Sequence, residues 1–443
     1  MRLLPAFLVL CLTISISACV QINQPAETAY SDQIDVFVAK VKNKDLELAE
    51  KPNRESDLSE YLEYAIAISP EISALREAEL SATSGVSLAS SKAQPQVSAT
   101  SSVGAYSANV TDGTLENGAS INLTASQLLY DGGLVNNGIN IAKLQVALAG
   151  VIKENGINRL SAEAASAIVE VSLSSEDLEA ITNFQEEIKP HSAQLERMAA
   201  SGLIDRSIID EITSKILEIN IKEKEARSNL RISEVNYSKY FGDLPLPYQA
   251  LLFPLSLSSD IAGDLSVDKV PAVRESALRT LLAEKQVAVA RSAFMPKINA
   301  QVGSSSPMDP DENISAQAGI LISYQFSDGG AREANLSRAK NDFERAKRSL
   351  EFTFENTGSV LEALQEQVSN IKEIIALAEQ KLPILVDRLR VAETQIQTGQ
   401  ADISKVFDLK LQINELKSRI RRGQADLLRT QFELASALGL LSN

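Results

Sequence analysis

The chain has 443 residues, with 43 Lys and Arg against 58 Asp and Glu, for a formal net charge of -15. An acidic balance argues against a nucleic-acid partner, which needs a basic face to neutralise phosphates. Past residue 18 no apolar run reaches the length of about 18 residues that a transmembrane helix needs, so any membrane crossing falls to strands.

Residues 1–18 read as a secretory signal. Arg2 supplies the positive region and Leu3 to Ile16 an apolar stretch too short to be a stable span. Ile16-Ser17-Ala18-Cys19 resembles the bacterial lipobox, which predicts a covalent lipid on Cys19. Val20 follows where an aspartate would favour inner-membrane retention, so the outer membrane is the expected destination. Cys11 leaves with the signal, and no disulfide framework is possible. Residues 19–56 lack sustained periodicity and read as a lipidated tether.

A first repeat spans 57–242. Asp57 opens a helical segment that pauses at Pro70 and resumes to about Lys92. From about 95 to 130 the apolar period drops to two, with Val97, Ala99 and Val103, then Ile121, Leu123 and Leu129. These are two strands of bilayer-crossing length. Asp131-Gly132-Gly133 turns the chain into a long helical hairpin, about 133–241, that reverses at Gly202 with Asp205 as the cap of the return helix.

Residues 243–269, rich in Pro and Ser, link this repeat to a second over 270–443. An offset of 201 carries Pro70 to Pro271 and Pro95 to Pro296. An offset of 197 carries Asp131-Gly132-Gly133 to Asp328-Gly329-Gly330, Gly202 to Gly399, Asp205 to Asp402 and Gly242 to Gly439. The change of four predicts a longer loop in the first copy. The second strand pair falls at about 296–327, with Tyr324 and Phe326 on its last strand. The second hairpin, about 330–441, has its apolar residues spaced by seven: Ala378, Leu385 and Ala392, then Val406, Ile413 and Ile420. A second such row begins at Phe354 and Leu361. That spacing predicts coiled-coil packing in a rod of roughly 100 Å. Pro190 and Pro383 should bend their helices.

The expected fold is thus mixed but mainly α, a duplicated strand pair plus long coiled-coil hairpin. Four strands cannot close a membrane barrel, whose smallest size is about eight, and an open edge in lipid would leave backbone groups unpaired. The chain is therefore expected to share its barrel with other copies.

The Tyr130-Asp131-Gly132-Gly133 and Ser327-Asp328-Gly329-Gly330 turns, the paired strands and the glycine-reversed hairpins, all duplicated over 57–441, resemble the TolC family of outer-membrane efflux proteins. The resemblance implies a homotrimer, with a twelve-stranded transmembrane barrel continued by a twelve-helix periplasmic α-barrel. It implies the exit duct of a tripartite efflux pump or type I secretion system. Its partners would be outer-membrane lipid, a periplasmic adaptor and an inner-membrane transporter. The family gates its periplasmic end with polar links and acidic rings. The corresponding positions are Asp408, with Glu211 and Asp210 in the first copy, whereas Lys405 stands where the family commonly has an aspartate. Adaptor contact would fall on the tip turns, Gly202, Asp205, Gly399 and Asp402.

His191 is the only histidine, and no phosphate-cradling Gly-x-x-x-x-Gly-Lys-Ser/Thr occurs. No catalytic residue, metal site or cofactor other than the lipid is expected, and the chain reads as no enzyme. The basic group Lys417, Arg419, Arg421 and Arg422 is expected on a solvated or interhelical face. The alternative function is a structural coiled-coil lipoprotein tether of the outer membrane, which gives no reason for the strand pairs.

Overall fold

A computed structural model describes Val38 and residues 51–106, 116–200, 205–247, 266–306, 313–397 and 403–441. The chain divides into two units, 1–50 and 51–443, and every element named here belongs to the second.

Helix α1 (Leu58–Ile68) starts where the Asp57 carboxylate accepts the Glu60 N–H. Pro70 then serves as the first residue of α2 (Pro70–Ser91), a position where its missing N–H costs nothing. Strands β1 (Gln96–Tyr106) and β2 (Glu116–Tyr130) follow, then helices α3 (Leu134–Ala200) and α4 (Arg206–Phe241). A short 3-10 turn (Val267–Lys269) leads into the second copy: α5 (Pro271–Ser292), β3 (Lys297–Ser306), β4 (Ser315–Ser323), α6 (Ala331–Gln397) and α7 (Ile403–Leu438). The descending helices α3 and α6 are 67 residues each, and the returning α4 and α7 are 36 each. At 1.5 Å per residue the longer pair reach about 100 Å. Pro190 and Pro383 each lie inside one continuous helix rather than interrupting it.

The four strands form one antiparallel sheet in the order β1-β2-β3-β4. At the helix end Gln96 pairs with Ser126 and Lys297 with Ser323, which are the same positions under the two offsets. The first ladder has 11 rungs and ends at Tyr106 and Glu116; the second has 9 and ends at Ser305 and Ser315. Two added rungs consume four residues, and nine residues separate the last paired positions in both copies. The extra length is therefore ladder, not the longer loop expected from sequence.

Strand β4 stops at Ser323, short of the expected 327, and leaves Tyr324 and Phe326 beyond it. Strand β2 runs on to Tyr130 because β3 pairs with its other side, through a bulge between Leu128 and Tyr130. Strand β4 has only β3 to hold it, and β3 begins at Lys297 behind a proline that cannot donate.

Helix α3 packs against both α4 and α7, and α7 against α6, so the hairpin wall runs α4-α3-α7-α6. Above it, α2 lies on α3, and α5 fits between α3 and α6. The main core, where the two hairpins meet α1, centres on Tyr61, Ile168, Phe241 and Phe432. Burying each such side chain stabilises by about 1.5–3 kcal/mol. The hydroxyls of Tyr61 and Tyr237 both donate to the Pro245 carbonyl, tying the start of the linker to this core. Ala378, Leu385, Ala392, Val406 and Ile413 form the α6–α7 seam, as their spacing by seven predicts. Phe354, from the second row, is instead exposed on the outer face of α6.

Candidate functional site

The strand-to-helix turns are built identically. In the first, the Asp131 carboxylate accepts the N–H of Gly133 and Val135 at 2.9 and 2.7 Å. In the second, Asp328 accepts those of Gly330 and Arg332 at 3.1 and 3.0 Å. The glycines hold φ near 69° and 87° in one turn and 69° and 89° in the other, a region L side chains avoid. Surroundings differ. A Cβ on Gly132 would lie 2.4 Å from that of Met295, whereas nothing lies within 4 Å of one on Gly329.

Pairing register sorts the sheet into two faces. Val97, Ala99 and Val103 share one with Ile121, Leu123, Ala125, Ile298, Val302, Ile320 and Ile322. Ser98, Thr100, Ser102, Ser120, Asn122, Thr124, Asn299, Gln301 and Gln317 share the other. The large apolar side chains of the first face are mostly exposed in the single chain, among them Val97, Ile121, Leu123, Val302, Ile320 and Ile322. Tyr324 and Phe326, just past β4, stack edge-to-face at 5.0 Å and are exposed too.

At the far end of the hairpins, Asp205 caps α4 by accepting the Ser207 N–H. That hydrogen bond holds its carboxyl below the ordinary aspartate value. Lys215 joins two of the sequence-predicted gate acids, reaching Glu211 at 2.6 Å and Asp408 at 2.5 Å. Burial by itself would lower the Lys215 ammonium, yet its hydrogen bonds to Asp408 and Glu211 raise it above the usual lysine value. Asp210 and Lys405 are exposed. Cys19, Gly202, Gly399 and Asp402 lie outside the described residues.

Sequence reasoning missed a second lysine. Lys410, nearly buried, meets Glu187 of α3 at 2.5 Å and Glu393 of α6 at 3.4 Å. Farther up, the buried Asp177 of α3 accepts from Arg421 at 2.8 Å, Arg422 at 3.1 Å and Ser418. Arg429 meets Glu170 at 2.5 Å. Of the basic group, Arg421 and Arg422 thus face helix α3 while Lys417 and Arg419 are exposed, and ion pairs line the α3–α7 seam.

At the opposite edges of the wall several of these bonded positions turn apolar, while Arg421 and Arg422 correspond to Lys224 and Glu225 and Lys410 to Thr213. Under the offset of 197, Asp177 corresponds to Ile374 and Glu187 to Ile384 on α6. Ser418 corresponds to Ile221 and Arg429 to Ile232 on α4. All four isoleucines are exposed. Both ends of the sheet, β1 and β4, are likewise unpaired on their outer sides.

Comparison with known proteins accounts for this architecture. The fold matches the channel CusC, with a TM-score of 0.75 at 16% identity over 89% of this chain and 96% of that one. It matches VceC from Vibrio cholerae at 0.74, with 15% identity over 86% and 96%. The open-state MtrE channel of Neisseria gonorrhoeae gives 0.72, with 14% identity over 89% and 96%. The fold is that of the outer-membrane channels. Residues 265–440 match the family model described as outer membrane efflux protein. The outer membrane efflux protein BepC of Brucella suis is 21% identical over 160 residues, 36% of this chain. That match spans about a third, 35%, of the length of BepC. The chain thus shares the fold of these channels over most of its length, and its second copy is similar in sequence to the outer membrane efflux proteins.

Proposed function

We propose that three copies of this chain close a twelve-stranded barrel in the outer membrane, continued by twelve long helices as a tunnel toward the periplasm. The observation that carries this reading is the pair of unfinished edges. Among the described residues, strands β1 and β4 lack outer partners, and α4 and α6 carry exposed isoleucines at four positions whose equivalents bond across the internal seam. Repeating the α3–α7 contact between chains sets α6 of one copy against α4 of the next. An apolar seam suits a surface that folds alone and then meets its partner.

The tunnel is a passive exit duct without cofactor or catalytic group of its own. It serves a tripartite efflux or secretion assembly in which an inner-membrane transporter supplies energy and a periplasmic adaptor engages the tip turns. The Lys215 bridge between Asp408 and Glu211 helps hold the periplasmic end closed. A lipid on Cys19 anchors the chain; metabolic labelling with palmitate checks this, and an unlabelled wild type removes it.

The trimer is tested by geometry. Glu187 and Lys410 meet within the chain, and their equivalents are Ile384 and Thr213. The double variant Ile384→Cys/Thr213→Cys, treated with a short bis-maleimide, should give a three-chain species on denaturing gels. A ladder confined to one chain would overturn the arrangement.

A further inference from the structure

The inner face of the sheet has a property that the family resemblance does not specify. Of the described strand residues, only Glu116 and Lys297 carry charge at neutral pH, and register puts them at opposite end rungs. Between them the polar face offers mainly hydroxyls, carboxamides and glycines, with Ser98, Thr100 and Ser102 on β1, Asn122 and Thr124 on β2 and Gln301 on β3; only Leu128 and Leu321, level with Asn299 near the helix end, are large and apolar. These groups also satisfy one another. Ser102 and Ser120 hydroxyls pair across β1 and β2 at 2.7 Å, and Ser305 donates to the Asn122 carboxamide across β2 and β3.

Resting on the conduit reading, which turns the apolar face to lipid, we propose that the membrane section of the tunnel is an uncharged hydroxyl-and-amide sleeve. It passes cations, anions and neutral polar solutes without preference for sign. A ring of fixed charge inside a low-dielectric wall concentrates counter-ions roughly tenfold or more; neutral dipoles provide no such field. Any charge preference of the conduit then resides in the helical section, where carboxylates and lysines cluster around Asp408, Glu211 and Lys215.

The test uses the full-length chain in outer-membrane vesicles. Thr124 lies eight residues from Glu116 on β2, roughly 26 Å along an extended strand. That is over three Debye lengths at about 0.15 M salt, and Gly303, the rung partner of Thr124, lies six residues from Lys297, roughly 20 Å or over two Debye lengths, so charge at both sheet ends is largely screened there. Thr124→Cys and Leu123→Cys are each labelled with a positively charged and a negatively charged methanethiosulfonate, with free thiol in solution as the reference. Thr124→Cys should react with both reagents, with normalised rates within about threefold of each other. Leu123→Cys, one residue along and on the other face, should react only with a lipid-soluble maleimide.

A tenfold or greater bias toward one sign at Thr124→Cys overturns the neutral sleeve. Labelling of Leu123→Cys by the charged reagents, with Thr124→Cys inert to them, reverses the two faces and overturns it as well. Planar-bilayer recordings separate this outcome from failure of the conduit itself. A wild-type trimer that never conducts, even with Lys215→Ala at the tip, sinks the duct, whereas sign-biased labelling in a conducting trimer sinks only the sleeve. In conducting channels, Thr124→Asp and Thr124→Lys should shift the reversal potential in a salt gradient in opposite directions.

Discussion

Two seams can be compared position by position in this molecule: the α3–α7 seam, closed within the chain, and the α4 and α6 edges, which stay open. Where the closed seam sets Asp177 and Glu187 against Arg421, Arg422 and Lys410, α6 carries Ile374 and Ile384. A seam that forms as one chain folds can use charges, because its partners arrive tethered and their desolvation is offset by fixed, hydrogen-bonded geometry. A surface that must find a separate molecule gains more from apolar area, which needs no exact partner atom.

The largest effect should come from making the open edge resemble the closed one. Ile384→Asp places a carboxylate where a neighbouring chain would bury it. Assembly should be lost while helix content is kept, as read by sedimentation and circular dichroism. A normal trimer from this variant would show that α6 faces solvent.

The reciprocal change acts on stability. Asp177→Ala strands Arg421 and Arg422; with Arg422 still largely solvated, the loss should be about 2–4 kcal/mol in denaturant titration, near the low end for a broken buried pair. A cost below about 0.5 kcal/mol would class the cluster with ordinary surface pairs.

The paired turns sharpen the comparison further. Alanine at Gly132 or Gly329 is strained by about 1–2 kcal/mol through its positive φ, and at Gly132 it also strikes Met295. In an isolated chain Gly132→Ala should therefore be the more damaging. In the proposed ring the difference should shrink, because Gln94 of the next copy, the equivalent of Met295, would take the place that Met295 has within the chain. Thermal melting of trimer and detergent-dissociated monomer distinguishes the two cases.

A pH effect is expected at the tip. The raised Lys215 value means the folded chain holds that proton more tightly, so its stabilisation is complete below the unfolded lysine value of about 10.4 and fades as pH rises through the folded one. Hydrogen exchange near residues 205–215 should speed up above that point in wild type and show no such step in Lys215→Met. The smallest effect concerns Ser161, whose buried hydroxyl has no hydrogen-bond partner. Ser161→Ala should be neutral or stabilise by up to about 1 kcal/mol.

Much of this fold was legible because it is written twice. The Asp-Gly-Gly turns, the period-two stretches and the spacing of Leu385 and Ala392 are local signals, and duplication separates each from coincidence. Pairing at a distance was not legible. Asp177 and Arg421 are 244 residues apart, and nothing near either one names the other. Lys215 had a local clue, since it follows Glu211 by four residues, but its second bond, to Asp408, depends on how α4 meets α7. The two copies set side by side did hold an unread hint: isoleucine on α6 and α4 where Asp177, Glu187 and Arg429 stand on α3 and α7 marks different neighbours. The early end of β4 was hidden for a similar reason, because alternation continues through Tyr324 and Phe326 while the partner strand does not.

The unequal ladders leave a mark on the proposed ring. Two more residues per strand raise each first hairpin by about 7 Å over its neighbour. Three tall and three short hairpins would then alternate around the outer mouth, like merlons on a parapet. A broad object settling there from outside would rest on three supports, with the notches between them still open to flow.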